Sequence, residues 1–148
     1  MLTAQFSTTD EPASAAIRWA TNGRYSHVDL VLPNGLLGAH LEGGVQLRPF
    51  GYANFTATER VYCEVPNESV ALAFAIAQIG KPYNGDALLD MVLHRERKFA
   101  MEQSSWFCDE LLYAAALAGG VRLLNTDNPL SLTPWEVYLS PYWKKENQ

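Results

Sequence analysis

The sequence predicts an α+β fold, a small antiparallel sheet or half-open barrel packed on helices. Three observations carry that expectation. Two alternating segments, SHVDLVL and LLGAHLE, flank the turn signal Pro33-Asn34-Gly35. A third strand-like run, ERVYCEV, is rich in β-branched and aromatic residues and precedes an alanine-rich helical stretch. A second helical pattern runs from about Ser105 to Gly119-Gly120.

The elements follow in order along the chain. Residues 11–21 are expected as a short helix, because Pro12 suits a first helical position and Ile17, Trp19 and Ala20 make an apolar face. Asn22-Gly23 breaks it. In SHVDLVL the side chains of Val28, Leu30 and Leu32 point one way, and His27, Asp29 and Val31 the other. The return segment sets Leu37, Ala39 and Leu41 against Gly38, His40 and Glu42. Gly43-Gly44 marks a bulge or bend before the strand resumes over 45–47. A two-residue Asn34-Gly35 loop would set Glu42 directly opposite His27, with His40 one diagonal step away.

A strand is expected over 59–65, ended by Pro66, and Asn67 then caps a helix over 68–79 that stops at Gly80. Lys81-Pro82-Tyr83 reads as an extended link, 86–93 as a short helix and 94–105 as a polar loop. The helix from Ser105 to Leu117 has Leu111, Leu112, Ala115 and Ala116 as its inner face. The tail, with Pro129, Pro134 and Pro141, is expected as coil and short strand. No repeat, low-complexity stretch or linker interrupts the chain, so one domain over 1–148 is expected.

Composition narrows the function. Hydrophobic residues make up 48% and charged residues 18%, as in a folded globular protein. A net charge of -5 argues against a nucleic-acid binder, which needs a basic face. No apolar run reaches the roughly 18 residues of a membrane span. The N-terminal stretch lacks the basic start and apolar core of a secretory signal, so a cytoplasmic location as synthesised is expected. Two cysteines are too few for a disulfide framework, though a Cys63–Cys108 bond would consume both. No ligand spacing suggests zinc, and no metal or cofactor is expected.

Cys108 stands at the start of a helix, in SSWFCDELLYAAALAG. There the helix dipole and unpaired backbone N–H groups favour a thiolate, and the same donors can hold an oxyanion. His27 lies on a polar strand face, where a third polar group on the adjacent strand would fix its tautomer. A cysteine in an alanine-rich helix is also commonly a small core residue. Cys63, in mid-strand with no base near it in sequence, reads as structural. His94, inside HRERK, reads as a solvated surface residue.

The segments RYSHVDLVLPNGLLGAHLEGGVQLRP, AIAQIGKPYNGDALL and SSWFCDELLYAA resemble the circularly permuted branch of the NlpC/P60 papain-like superfamily. That branch holds YiiX/YebB-type proteins and, more distantly, lecithin retinol acyltransferase-like enzymes. The order is that of the permuted branch: the histidine strand comes first, with GKPY (80–83) and FCDEL (107–111) after it. The resemblance implies a permuted papain-like fold with Cys108 as nucleophile and His27 as base. The third catalytic residue would be His40, by alignment on Gly44-Val45-Gln46, or Glu42, by the cross-strand count. Tyr83, the tyrosine of GKPY, would either line the cleft near Cys108 or serve only in packing, and Tyr25 and Glu42 are further candidates for binding substrate. Asp109 replaces the serine common in the family and would set a carboxylate beside the thiol.

The activity so implied is thiol-dependent amide hydrolysis through an acyl-enzyme, with bacterial cell-wall peptides as substrate class. A phage-encoded wall hydrolase, carried in the virion or released by lysis, would fit. Two rivals remain: a lipid-directed thiol acyltransferase or esterase, and a non-catalytic binding or structural module such as a phage-tail component.

Overall fold

Leu2, Ala4 and Phe6 alternate with Thr3, Gln5 and Ser7, and this period of two makes residues 2–8 a strand. The computed structural model, which describes residues 1–125 and 132–145, places that strand near the middle of the sheet. The sequence reading had assigned it no element. Six strands, β1 (Leu2–Thr8), β2 (His27–Leu32), β3 (Gly35–His40), β4 (Gly44–Arg48), β5 (Ala57–Cys63) and β6 (Lys144–Lys145), lie in the order β4-β3-β2-β1-β5-β6. All neighbours are antiparallel. Five helices, α1 (Pro12–Thr21), α2 (Glu68–Ala77), α3 (Gly85–Val92), α4 (Cys108–Ala118) and α5 (Pro134–Tyr138), complete the α+β architecture.

One face of the sheet is apolar over its central strands, β3, β2 and β1, and onto Val61 of β5. Register aligns Ala4 with Leu30 and Val61, Phe6 with Val28, and Leu30 with Leu37. Against these residues packs α4, buried continuously from Cys108 to Ala116, with α2 behind it. Each fully buried Leu or Phe in this layer contributes about 1.5–3 kcal/mol of transfer free energy.

Several expectations hold closely. Pro12 opens α1, and Asn22, in the left-handed conformation, ends it. Asn67 caps α2 by accepting the Val70 N–H. Other boundaries move. β5 ends at Cys63, two residues before the expected Val65. α4 starts at Cys108, after Trp106 is drawn into backbone pairing with the preceding link. The tail contains a short helix, because Thr133 caps Glu136 and Pro134 takes the first helical position. Pro129 lies outside the described residues.

The hairpin register is the main correction. β2 and β3 pair Leu30 with Leu37, Val31 with Leu36 and Leu32 with Gly35, so the loop is Pro33-Asn34 and not Asn34-Gly35. Proline presets the backbone for the first central position of a turn, which draws the loop one residue toward the N-terminus. Continued along the strands, this register sets His40 opposite His27 and Gly38 opposite Asp29. Glu42 falls beyond the strand, in the exposed turn.

Backbone hydrogen bonds tie the sheet edge to the segment 80–84. The Val45 N–H donates to Lys81 O at 2.9 Å, and the Gly80 N–H to Val45 O at 3.0 Å. The Trp106 N–H donates to Pro82 O and the Asn84 N–H to Trp106 O, fastening the same segment to the entrance of α4. Gly44 permits this approach: its φ is +72°, and a Cβ there would lie 2.3 Å from Lys81 O. Gly44→Ala should therefore lower the unfolding free energy by about 2 kcal/mol or more. Gly85→Ala, in open space at the start of α3, should change it by less than about 1 kcal/mol. Urea denaturation of the two variants checks the difference.

Candidate active site

Two elements converge on one cleft of about 260 Å³. His27 is the first residue of β2, and Cys108 the first of α4. No side chain caps the N-terminus of α4, since Phe107 occupies that position with an apolar ring. The first-turn N–H groups consequently point into the region around the Cys108 sulfur with the positive end of the helix dipole. Both cysteines are free thiols.

The fold gives His27 a partner that the sequence reading passed over. Asp29, two residues along the same strand and fully buried, accepts a hydrogen bond from His27 Nε2 at 2.8 Å on Oδ1. Its other oxygen, Oδ2, accepts the Tyr52 hydroxyl at 2.8 Å. His40 Nε2 lies 3.3 Å from Oδ1, and the two imidazole rings are 4.8 Å apart. The missed signal was in plain view: residues i and i+2 of a strand share a face, and HVD sets a carboxylate beside the histidine. Space for that carboxylate comes from Gly38, where a Cβ would lie 2.0 Å from Asp29 Oδ1.

Electrostatics follow from this packing. Burial works against charge on His27, but Asp29 and then the Cys108 sulfur outweigh it, holding the imidazolium well above the ordinary histidine range. Burial likewise opposes charge on Asp29, yet His27, followed by His40, keeps its carboxyl far below the usual carboxylate range. His40 is lowered by its own burial against the pull of Asp29, and the His27 charge adds to the fall. The two rings are thus pushed apart, His27 toward the cation and His40 toward the neutral form.

The remaining sequence-predicted residues divide. His40, Glu42 and Tyr83 line the cleft with Cys108. Tyr83 packs against Phe107, and burial raises its hydroxyl strongly. Tyr25 is not brought into the cleft. It is buried against Phe6 and Tyr138 and donates its hydroxyl to Glu59 at 3.0 Å. Asp109 is fully buried, and burial followed by the adjacent Cys108 and Glu110 charges raises its carboxyl well above the ordinary range. Its Oδ1 lies 3.9 Å from the Cys108 sulfur, which donates to it, so this carboxyl is the neighbour the sequence expects beside the thiol, with its ionisation opposed by burial.

These elements define an α+β class in which a histidine at a strand start faces a cysteine at the start of a buried helix. Among solved structures the fold is shared with the metalloprotein YiiX from Escherichia coli O157:H7, a DUF1105 protein. The TM-score is 0.72 and the identity 17%, over 99% of this chain and 96% of that one. No protein-family model and no curated protein matches the sequence. Among the described residues no helix is long and apolar enough to cross a membrane.

The pH dependence of the Asp29–His27 pair has a defined sign. Asp29 contributes stability above its unfolded pKa of about 3.9, lost as pH falls through its much lower folded value. His27 contributes fully below about 6.5, and that contribution is lost as pH rises through its raised folded value. In Asp29→Asn the His27 ring should titrate below about 6.5, because burial is then opposed by one charge fewer. The fold should lose about 3 kcal/mol with the buried pair broken. Histidine-resolved NMR titration and denaturant unfolding read the two effects.

Proposed function

We propose that the protein is a thiol-dependent hydrolase acting on amide bonds through an acyl-enzyme. One observation carries this reading: the His27 imidazolium lies between a buried carboxylate and the sulfur of a cysteine that opens an uncapped helix. A cationic imidazole of that kind stabilises a thiolate beside it.

In this mechanism the Cys108 thiolate attacks the substrate carbonyl carbon, and the C=O π electrons move to oxygen. The Cys108 N–H and its first-turn neighbours hold the oxyanion. Collapse breaks the C–N bond as His27 gives its proton to the leaving amine. Water, deprotonated by His27, then attacks the thioester, releasing the acid and restoring the thiolate–imidazolium pair. Asp29 orients His27 throughout, as the third member of such triads does, and Tyr52 fixes Asp29. His40 stands against both as a neutral ring.

The permuted NlpC/P60 resemblance supports peptides of the bacterial cell wall as substrate class. The description of the E. coli neighbour as a metalloprotein raises a second possibility for the same side chains. His27, Asp29 and His40 would hold an ion, which would supply a Lewis acid there. The thiol reading is preferred because that ion would leave Cys108, with its helix N-terminus, no part in the chemistry.

Site-resolved alkylation by iodoacetamide at pH 6 tests the pair. Cys108 should label at least tenfold faster than Cys63, whose thiol burial pushes up to about 11. His27→Ala should remove that advantage. Incubation with bacterial sacculi should release muropeptides, and both Cys108→Ala and His27→Ala should lower the rate by about 10²-fold or more. Hydrolysis of a lipid ester with no released muropeptide would shift the assignment to the acyltransferase class. Slow labelling at both cysteines would sink the catalytic reading.

A further inference from the structure

His40 is the one member of the buried cluster that the hydrolase leaves without a task. It is 93% buried (7% exposed), and its Nε2 faces the cluster without forming a hydrogen bond to any described residue. An imidazole nitrogen so placed is left without a well-formed hydrogen bond, a cost that a ligand bound at Nε2 would remove. The group it faces is Asp29 Oδ1, 3.3 Å away, which also meets His27 Nε2 at 2.8 Å. One ligand atom from each of His27, Asp29 and His40 falls within 4.8 Å of the other two.

We propose that His27, Asp29 and His40 form a binding site for a divalent transition-metal ion, of which Zn²⁺ is the best match, and that the ion holds the thiol centre inactive. The donor set supports the choice. Two imidazoles and one carboxylate suit zinc, whose bonds to nitrogen and oxygen are about 2.0–2.2 Å. Ligand atoms on such an ion stand no more than about 4.2 Å apart, so a small rotation of one ring closes the set. Asp29 already lies at bonding-edge distance from both histidines, and Gly38 leaves the space on that side free of a Cβ. The cleft, lined by His27, His40 and Cys108, gives the ion a route in from solvent. Tyr52, bonded to Asp29 Oδ2, orients the carboxylate from outside the set.

Inactivation follows from the two nitrogens of one ring. Nε2 of His27 now hydrogen-bonds Asp29, leaving Nδ1 for the thiol. An ion on Nε2 displaces the proton shared with Asp29 to solvent and fixes the remaining proton on Nδ1. That ring can no longer accept a proton from Cys108 or from water. Metal binding itself requires only the three ligands; the inhibitory consequence rests on the hydrolase reading above.

The experiment titrates Zn²⁺ alone into the full-length, reduced protein by isothermal calorimetry, with NMR of the histidine rings in parallel. One Zn²⁺ should bind per chain, shifting the ring signals of His27 and His40 while those of exposed His94 stay in place. His40→Asn and Asp29→Asn, each confirmed as folded by circular dichroism, should weaken binding at least tenfold. Cys108→Ala should bind Zn²⁺ as the native protein does, which keeps this test independent of whether Cys108 is a nucleophile. In the native protein Zn²⁺ should slow Cys108 alkylation, and a chelator should restore it. No saturable binding, unchanged affinity in His40→Asn, or loss of binding in Cys108→Ala would each overturn the site; the last would place the ion on the thiol. Should a substituted protein fail to fold, the ring shifts of the native protein decide alone.

Discussion

A carboxylate with almost no exposed surface must be compensated, because burying an isolated charge costs several kcal/mol even after the protein relaxes. Asp29 is that carboxylate, and much of the site can be read as its compensation. His27 supplies a cation, Tyr52 a hydroxyl donor, and His40 a further polar edge. Gly38 supplies the missing Cβ that lets the carboxylate lean across the hairpin. β1 covers the third side, with Gln5 and Ser7 paired to Asp29 and His27. Remove the charge and each of these choices loses its reason.

The same constraint explains why one histidine of the pair is cationic and its neighbour is not. Two imidazoles 4.8 Å apart cannot both carry charge cheaply beside a single carboxylate. The one that donates to Asp29 and faces the sulfur takes the proton. The other is pushed toward the neutral form, by its burial first and then by the His27 charge. A proton and a soft divalent cation therefore compete for one cluster.

Much of this was legible in the sequence, and the exceptions have physical causes. Local signals with strong stereochemical content held: Pro12 and Asn22 around α1, Asn67 ahead of α2, and the alternation of β2 with His27 and Asp29 on one face. β1 is signalled only by the alternation of Leu2, Ala4 and Phe6, with no turn residue before it to mark a strand start. The hairpin register was misplaced because Pro33, and not Gly35, dictates where the turn closes. From that one slip came Glu42 as the residue facing His27. Tyr25 was drawn toward the cleft by its neighbour His27, but successive residues before a strand need not share a face, and Glu59 holds its hydroxyl elsewhere. Asp109 reads in sequence as a carboxylate beside the thiol, and its complete burial, which opposes ionisation, is visible only in the fold.

The strap between β4, segment 80–84 and the entrance of α4 is made almost wholly of main-chain N–H and C=O groups. Bonds of that kind ask nothing of the side chains except a glycine where backbones meet closely and a proline that needs no donor. Substitutions elsewhere in these segments leave the strap intact, so it sets the separation of Tyr83, Cys108 and the histidine strand almost independently of sequence. The fold held this way is shared with YiiX over 99% of this chain at only 17% identity. The frame therefore leaves the chemistry of the cleft to the few side chains that face into it.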